Sequence, residues 1–189
     1  MALIGFSYGA MASMYGLSET AARAFGQGGE RFAAHVAFYG PCIARFEEPR
    51  TTGAPLLMLY GTEDELIDPA RCAAAAEAFR SGGSTVEVIA YEGAAHQWDG
   101  AWGPVRIGRL LNGCDLELAR DGSVRDRSSG LVMAGRISRA IILGLCVDNR
   151  PLSHPRRPGG EGALERRSRT LPRRSVQPAL SPVWWSSAA

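Results

Sequence analysis

At 189 residues, with 46% apolar and 21% charged side chains, the chain has the composition of a single globular domain and enough length to bury a sizeable core. Its net charge of +2 hides an asymmetry: residues 1–150 hold fourteen arginines against seventeen acids, residues 151–189 hold seven against two, and lysine is absent. The longest apolar stretches, such as Pro55–Tyr60 and Ala140–Val147, are too short to cross a bilayer, and no charged segment leading into a long apolar run opens the chain, so neither a spanning helix nor a secretory signal is expected.

Met1–Phe6 is a short apolar run that reads as a strand and meets Ser7 directly. Ala10–Tyr15 follows with the small and apolar residues of a helix packed closely on a sheet. Phe32–Phe38 reads as a buried strand ended by Gly40-Pro41, and Ala54–Tyr60 as a second, closed by Gly61. Pro69–Ser81 is a helix by composition, with Pro69 at its first position, alanines through its middle and Gly82 past its end. Ser84–Tyr91 is a further strand, its Val86, Val88 and Ile89 supplying β-branched content. This alternation predicts an α/β fold, a mostly parallel sheet with flanking helices. Asp115–Ala119 and Val124–Ser128, joined by a turn at Asp121-Gly122, form a predicted hairpin, and Gly135–Val147 a last helix.

The chain divides at about residue 150. Six of its eleven prolines and several paired arginines fall in 151–189, which reads as a disordered tail after a domain spanning 1–150. The tail's abrupt change of composition is that of readthrough in a different frame. Basic runs attract phosphates, but this one has no interleaved aromatics before Trp184-Trp185, so no nucleic acid partner is expected. Cys42, Cys72, Cys114 and Cys146 lie far apart with no paired zinc-ligand spacing, and reduced thiols in a cytoplasmic protein are the expectation.

Gly5-Phe6-Ser7-Tyr8-Gly9 matches G-x-S-x-G. A serine carried on a sharp strand-to-helix turn needs tiny neighbours, and the turn exposes its hydroxyl while aiming the helix N-terminus at a developing oxyanion. The backbone N–H of Tyr8 is the first candidate oxyanion donor. A bare strand–turn–helix junction without chemistry is the alternative for the motif taken alone. Asp64 lies just past the strand Ala54–Tyr60, where an open α/β sheet collects functional groups. Glu63, Glu65 and Asp68 compete with it locally, and Asp68 before Pro69 is the better helix N-cap. Of three histidines, His35 sits inside an apolar strand as a satisfied core residue and His154 lies in the tail, which leaves His96 as the candidate base. Ser7, Asp64 and His96 then fall in the Ser…Asp…His order of α/β-hydrolases.

Together with Ala37-Phe-Tyr-Gly-Pro41, Pro55–Gly61, Asp68–Cys72 and Tyr91–His96, these residues resemble the dienelactone hydrolase family over roughly residues 1–103. The resemblance extends more loosely to 105–150. It implies a partial α/β-hydrolase that cleaves an ester or lactone through an acyl-enzyme, with a small molecule as its partner and no cofactor, metal, nucleic acid or membrane. It also implies that strands preceding the elbow in the family are missing. The strand Met1–Gly5 would then keep one unpaired apolar edge, and a second oxyanion donor would be lacking. The alternative expectation is an inactive fragment of such a hydrolase, from a truncated or frameshifted gene.

Overall fold

The computed structural model describes residues 1–26, 29–99 and 111–147. The tail at 151–189, expected to be disordered, lies outside the described residues. Eleven elements occur among those described: β1 (Ala2–Phe6), α1 (Tyr8–Gly16), α2 (Glu19–Phe25), β2 (Ala34–Phe38), β3 (Ala44–Phe46), β4 (Leu56–Gly61), α3 (Pro69–Ser81), β5 (Val86–Tyr91), β6 (Leu116–Leu118), β7 (Val124–Asp126) and α4 (Arg136–Cys146). None of the described helices is long and apolar enough to cross a membrane.

β1, β2, β4 and β5 form one sheet in that order, and every neighbouring pair is parallel. A strand's side chains alternate between faces, so His35 and Ala37 of β2 point the same way as Leu56 and Met58 of β4 and Val86 and Val88 of β5. On that face they meet Ala10, Met14 and Leu17 of the α1 segment and Cys72, Ala76 and Phe79 of α3. Phe79 is 1% exposed, and its burial contributes about 1.5–3 kcal/mol. Hydrogen bonds fix α1 to the sheet: Ser13 Oγ donates to the Leu3 carbonyl (3.1 Å), and His35 Nδ1–H donates to the Ser13 carbonyl (2.8 Å). His35 therefore departs from the expected satisfied core histidine, because its Nε2 has no hydrogen-bond partner among the described residues. Burial pushes its pKa below the ordinary histidine value. Among the described residues β1 pairs only with β2, and Ile4 and Phe6, on the far face, are about half exposed.

α3 forms where its sequence punctuation placed it. Asp68 accepts the N–H groups of Ala70 and Arg71, Pro69 needs no donor in the first turn, and the Gly82 N–H closes the end on the Ala78 carbonyl. The predicted hairpin is present as antiparallel β6 and β7, and β3 adds to it in parallel as a second, three-stranded sheet. Ile142 of α4 packs there against Ile43, Cys114 and Leu116.

The cysteines correct the sequence reading. Cys42 bonds Cys72, Cys114 bonds Cys146, and no free thiol remains. Sequence spacing gave no sign of these pairs because their members meet only after folding. Cys42 follows β2 and Cys72 lies in α3, which follows β4, the neighbour of β2 in the sheet.

Candidate active site

Three loops at the carboxyl ends of parallel strands bring Ser7, Asp64 and His96 together. Ser7 lies between β1 and α1 with φ 52° and ψ −117°, a conformation that non-glycine residues rarely adopt and that costs about 1–3 kcal/mol. Its surroundings hold it there. The Ser7 N–H donates to the Phe38 carbonyl of β2 (2.9 Å), and its carbonyl accepts the Met11 N–H of α1 (3.1 Å). A Cβ on Gly5 would collide with the Gly9 carbonyl, so the first glycine of the motif is required for strand and helix to meet. The second differs from expectation: a Cβ on Gly9 would meet nothing within 4 Å among the described residues. Tyr8 opens α1, and its N–H is one of the first-turn donors with no intrahelical acceptor.

Asp64 sits in the turn after β4, and its side chain has no exposed surface. One carboxylate oxygen, Oδ1, accepts the Leu66 N–H (3.0 Å), and Oδ2 lies 2.7 Å from His96 Nδ1. Its local competitors separate from it here. Glu63 and Glu65 are exposed, and Asp68 caps α3. The acid loop is joined to the histidine loop by backbone bonds: Thr62 N–H to the Tyr91 carbonyl (3.0 Å) and Glu63 N–H to the Ala94 carbonyl (3.0 Å). The Gly93 N–H adds a bond to Thr62 Oγ1 (2.9 Å). Gly61 permits this contact, since a Cβ there would strike the Ala94 carbonyl.

His96 is 11% exposed at its side chain, and its Nε2 lies 3.0 Å from Ser7 Oγ. The two ring contacts assign the tautomer. A carboxylate only accepts, so Nδ1 carries the proton and Nε2 is left to accept from the serine hydroxyl. A serine, an imidazole and a buried carboxylate in line are able to generate a nucleophilic alkoxide and to hold the resulting imidazolium.

Sequence reasoning missed Tyr39. It stands after β2, between the strands that carry Ser7 and Asp64, with φ 42° and 4% exposure. Its ring meets that of His96 edge-on (centroids 4.8 Å) and that of Trp98 at 5.1 Å. Burial, with smaller contributions from the carboxylates of Asp99 and Asp64, pushes the phenol pKa up to about 12. The only sequence signal was its place in Phe38-Tyr39-Gly40-Pro41, where an aromatic at a strand end resembles ordinary core.

Comparison with known proteins adds a family. The model of the dienelactone hydrolase family matches residues 1–100. No curated protein sequence matches the chain. Among solved structures, esterase 2 of Thermogutta terrifontis phosphorylated by paraoxon is similar at 19% identity and a TM-score of 0.43, over 51% of this chain and 44% of that one. An α/β-hydrolase from a Medee basin deep-sea metagenome library is similar at 22% identity and a TM-score of 0.40, over 50% of this chain and 39% of that one. The chain thus spans less than half the length of these structures.

Proposed function

The chain belongs to the dienelactone hydrolase family, and from that premise we propose that it is a serine hydrolase that cleaves a carboxylic ester or lactone through an acyl-enzyme on Ser7. The observation that carries this reading is the continuous line from Asp64 Oδ2 through His96 to Ser7 Oγ, with steps of 2.7 and 3.0 Å.

In this mechanism Ser7 Oγ forms a bond to the ester carbonyl carbon while its proton passes to His96 Nε2. Asp64 keeps the Nδ1 proton in place and balances the imidazolium charge. The carbonyl oxygen, now an anion, takes a hydrogen bond from the Tyr8 N–H at the positive end of α1. Collapse breaks the bond to the leaving oxygen, which receives the proton from Nε2. Water then repeats the sequence, His96 removing its proton, and Ser7 recovers a proton as the acid departs. The proposed partner is a small ester or lactone, and the chemistry calls for no metal, organic cofactor, nucleic acid or membrane.

A cytoplasmic location is the element of this reading that the two disulfides oppose, since such bonds persist in oxidising compartments. Alkylation of freshly isolated protein separates the cases: four blocked thiols support the cytoplasm, none an oxidising compartment.

Labelling with a fluorophosphonate, mapped by mass spectrometry beside a Ser7→Ala control, tests the hydrolase reading. Modification confined to Ser7 is the expected result. A folded chain that resists the probe, or that is modified equally in the control, refutes it.

A further inference from the structure

Five aromatic side chains form one continuous series of ring contacts at the carboxyl ends of the parallel strands. Phe6, the residue before Ser7, stacks on Phe38 of β2, with centroids 4.9 Å and planes 18° apart. Both rings meet Tyr39, at 6.1 and 6.3 Å. Tyr39 meets Trp98 of the histidine loop at 5.1 Å, and Trp98 meets Tyr91, the last residue of β5, at 5.1 Å. The band thus runs from the nucleophile's strand, past β2, to the strand and loop that carry His96. Its central ring, Tyr39, also packs edge-on against the His96 imidazole, whose Nε2 is 3.0 Å from Ser7 Oγ.

The hub and the rest of the band face different surroundings. Tyr39 is 4% exposed, whereas Phe6 and Tyr91 are 49% and 41% exposed and Phe38 and Trp98 are half-buried. Four rings therefore keep apolar surface toward solvent around a buried centre. Such surface is unfavourable in water, and a contiguous patch of it marks a contact site. Its address is specific. It begins at the residue beside the nucleophile and its hub touches the base, in the crevice where an open α/β sheet takes its ligands. The backbone beneath it is fixed as well. The Tyr39 N–H donates to the Leu59 carbonyl of β4 (2.6 Å), the Phe38 carbonyl accepts the Ser7 N–H, and a Cβ on Gly40 would strike Ala10 and Met14 of α1. The rings stand in place before a ligand arrives, so little ordering is lost on binding.

We propose that this band is a substrate wall that selects esters or lactones carrying an aryl group, the aryl ring packing on the exposed aromatics while the carbonyl meets Ser7. The proposal rests on the reading of Ser7 as a hydrolase nucleophile and names the class of substrate that it attacks. Aromatic rings attract one another in offset or edge-on geometry, the arrangement that these five side chains adopt among themselves. A saturated ring of similar shape buries at least as much apolar area but has no such quadrupole. Burial alone and ring packing therefore predict opposite preferences.

The test uses the full chain and two matched pairs of esters: benzyl acetate with cyclohexylmethyl acetate, and methyl phenylacetate with methyl cyclohexylacetate. Each rate is divided by that of alkaline hydrolysis of the same ester. In at least one pair the aryl member is expected to have the higher kcat/KM by about 2- to 12-fold, equivalent to about 0.5–1.5 kcal/mol for an aromatic pair at 1.36 kcal/mol per tenfold. Phe6→Leu and Trp98→Leu keep an apolar side chain, and at least one of them is expected to bring that ratio to unity or below. General damage to the site slows both members of a pair alike and leaves the ratio unchanged. Active protein with no aryl preference in either pair, or with a preference that both variants retain, overturns the wall. The second readout needs no turnover. Benzyl alcohol is expected to shift the Trp98 indole N–H resonance, assigned by its loss in Trp98→Leu, at lower concentration than cyclohexylmethanol does. Equal or absent shifts overturn the wall, as does a dimer whose Trp98 resonance ignores both alcohols because a second copy covers the band. A chain that hydrolyses none of the esters and resists a fluorophosphonate, yet shows the benzyl alcohol shift, refutes the hydrolase reading and upholds the band as an aryl-binding surface.

Discussion

Replacing Asp64 by asparagine changes one atom of the carboxylate and leaves its volume. The structure determines which way the new amide turns. Oδ1 accepts the Leu66 N–H and Oδ2 faces His96 Nδ1, and both oxygens are buried. If the amide oxygen takes the Leu66 side, its NH2 donates to Nδ1, the ring proton moves to Nε2, and His96 can no longer accept from Ser7. In the opposite orientation the NH2 points at the Leu66 N–H, leaving a partly buried donor unsatisfied at a cost of about 1–3 kcal/mol. The inert tautomer is therefore favoured by that amount. Removing the carboxylate charge from beside the imidazolium adds about 4 kcal/mol at an effective dielectric constant of about 20. The sum, about 5–7 kcal/mol, corresponds to a loss of about 10⁴-fold or more in turnover, at 1.36 kcal/mol per tenfold. Hydrolysis of a p-nitrophenyl ester under saturating substrate measures it, with circular dichroism to show that the variant is folded. An Asp64→Asn protein within tenfold of the unsubstituted rate would refute the assignment of Asp64 as the orienting acid.

The two glycines of the elbow are expected to behave oppositely. Gly5→Ala drives a Cβ into the Gly9 carbonyl and is expected to cost about 1–3 kcal/mol or more, read as a lowered thermal midpoint. Gly9→Ala, inside α1 with open space at its Cβ, is expected to be neutral or to stabilise by about 0.4–1 kcal/mol in the same melt. Opening the Cys42–Cys72 bond releases a segment of 30 residues and is expected to cost about 3–4 kcal/mol, measured by denaturant titration of Cys42→Ser/Cys72→Ser against the parent. His35 is held neutral by burial, so its pKa is lower folded than unfolded and the unfolded chain binds the extra proton. Its contribution to stability is thus present above the unfolded value of about 6.5 and declines as the pH falls below it; His35→Asn is expected to flatten that part of the urea-midpoint profile.

The sequence carried most of what positions the site. α3 was legible because Asp68, Pro69 and Gly82 mark its ends chemically, and β4 and β5 because apolar or β-branched runs end at glycine or at a turn. Asp64 and His96 were legible as polar residues at the ends of those runs. Other features were hidden for physical reasons. α2 and β3, at seven and three residues, are too short to show a period. Both disulfides depend on which strands become neighbours, a property of the whole sheet. Tyr39 acquires its place from a left-handed backbone turn, and nothing in an aromatic residue's identity announces one. Gly9 matched the motif, yet in the structure only Gly5 is sterically obliged.

The serine, the tyrosine, the acid and the histidine stand at the ends of four different strands, one after each strand of the parallel sheet in its spatial order. No two of them come from a local hairpin. His96 lies 89 residues beyond Ser7 along the chain, so a polypeptide emerging from the ribosome carries a serine without its imidazole partner until that further length has been made. A slip of one residue in any strand pairing would move one member out of reach while leaving the helix content of the molecule unchanged. A covalent probe of Ser7 is therefore also a register gauge: it reports the fraction of molecules in which all four strands are correctly aligned, and partly ordered chains will be silent to it.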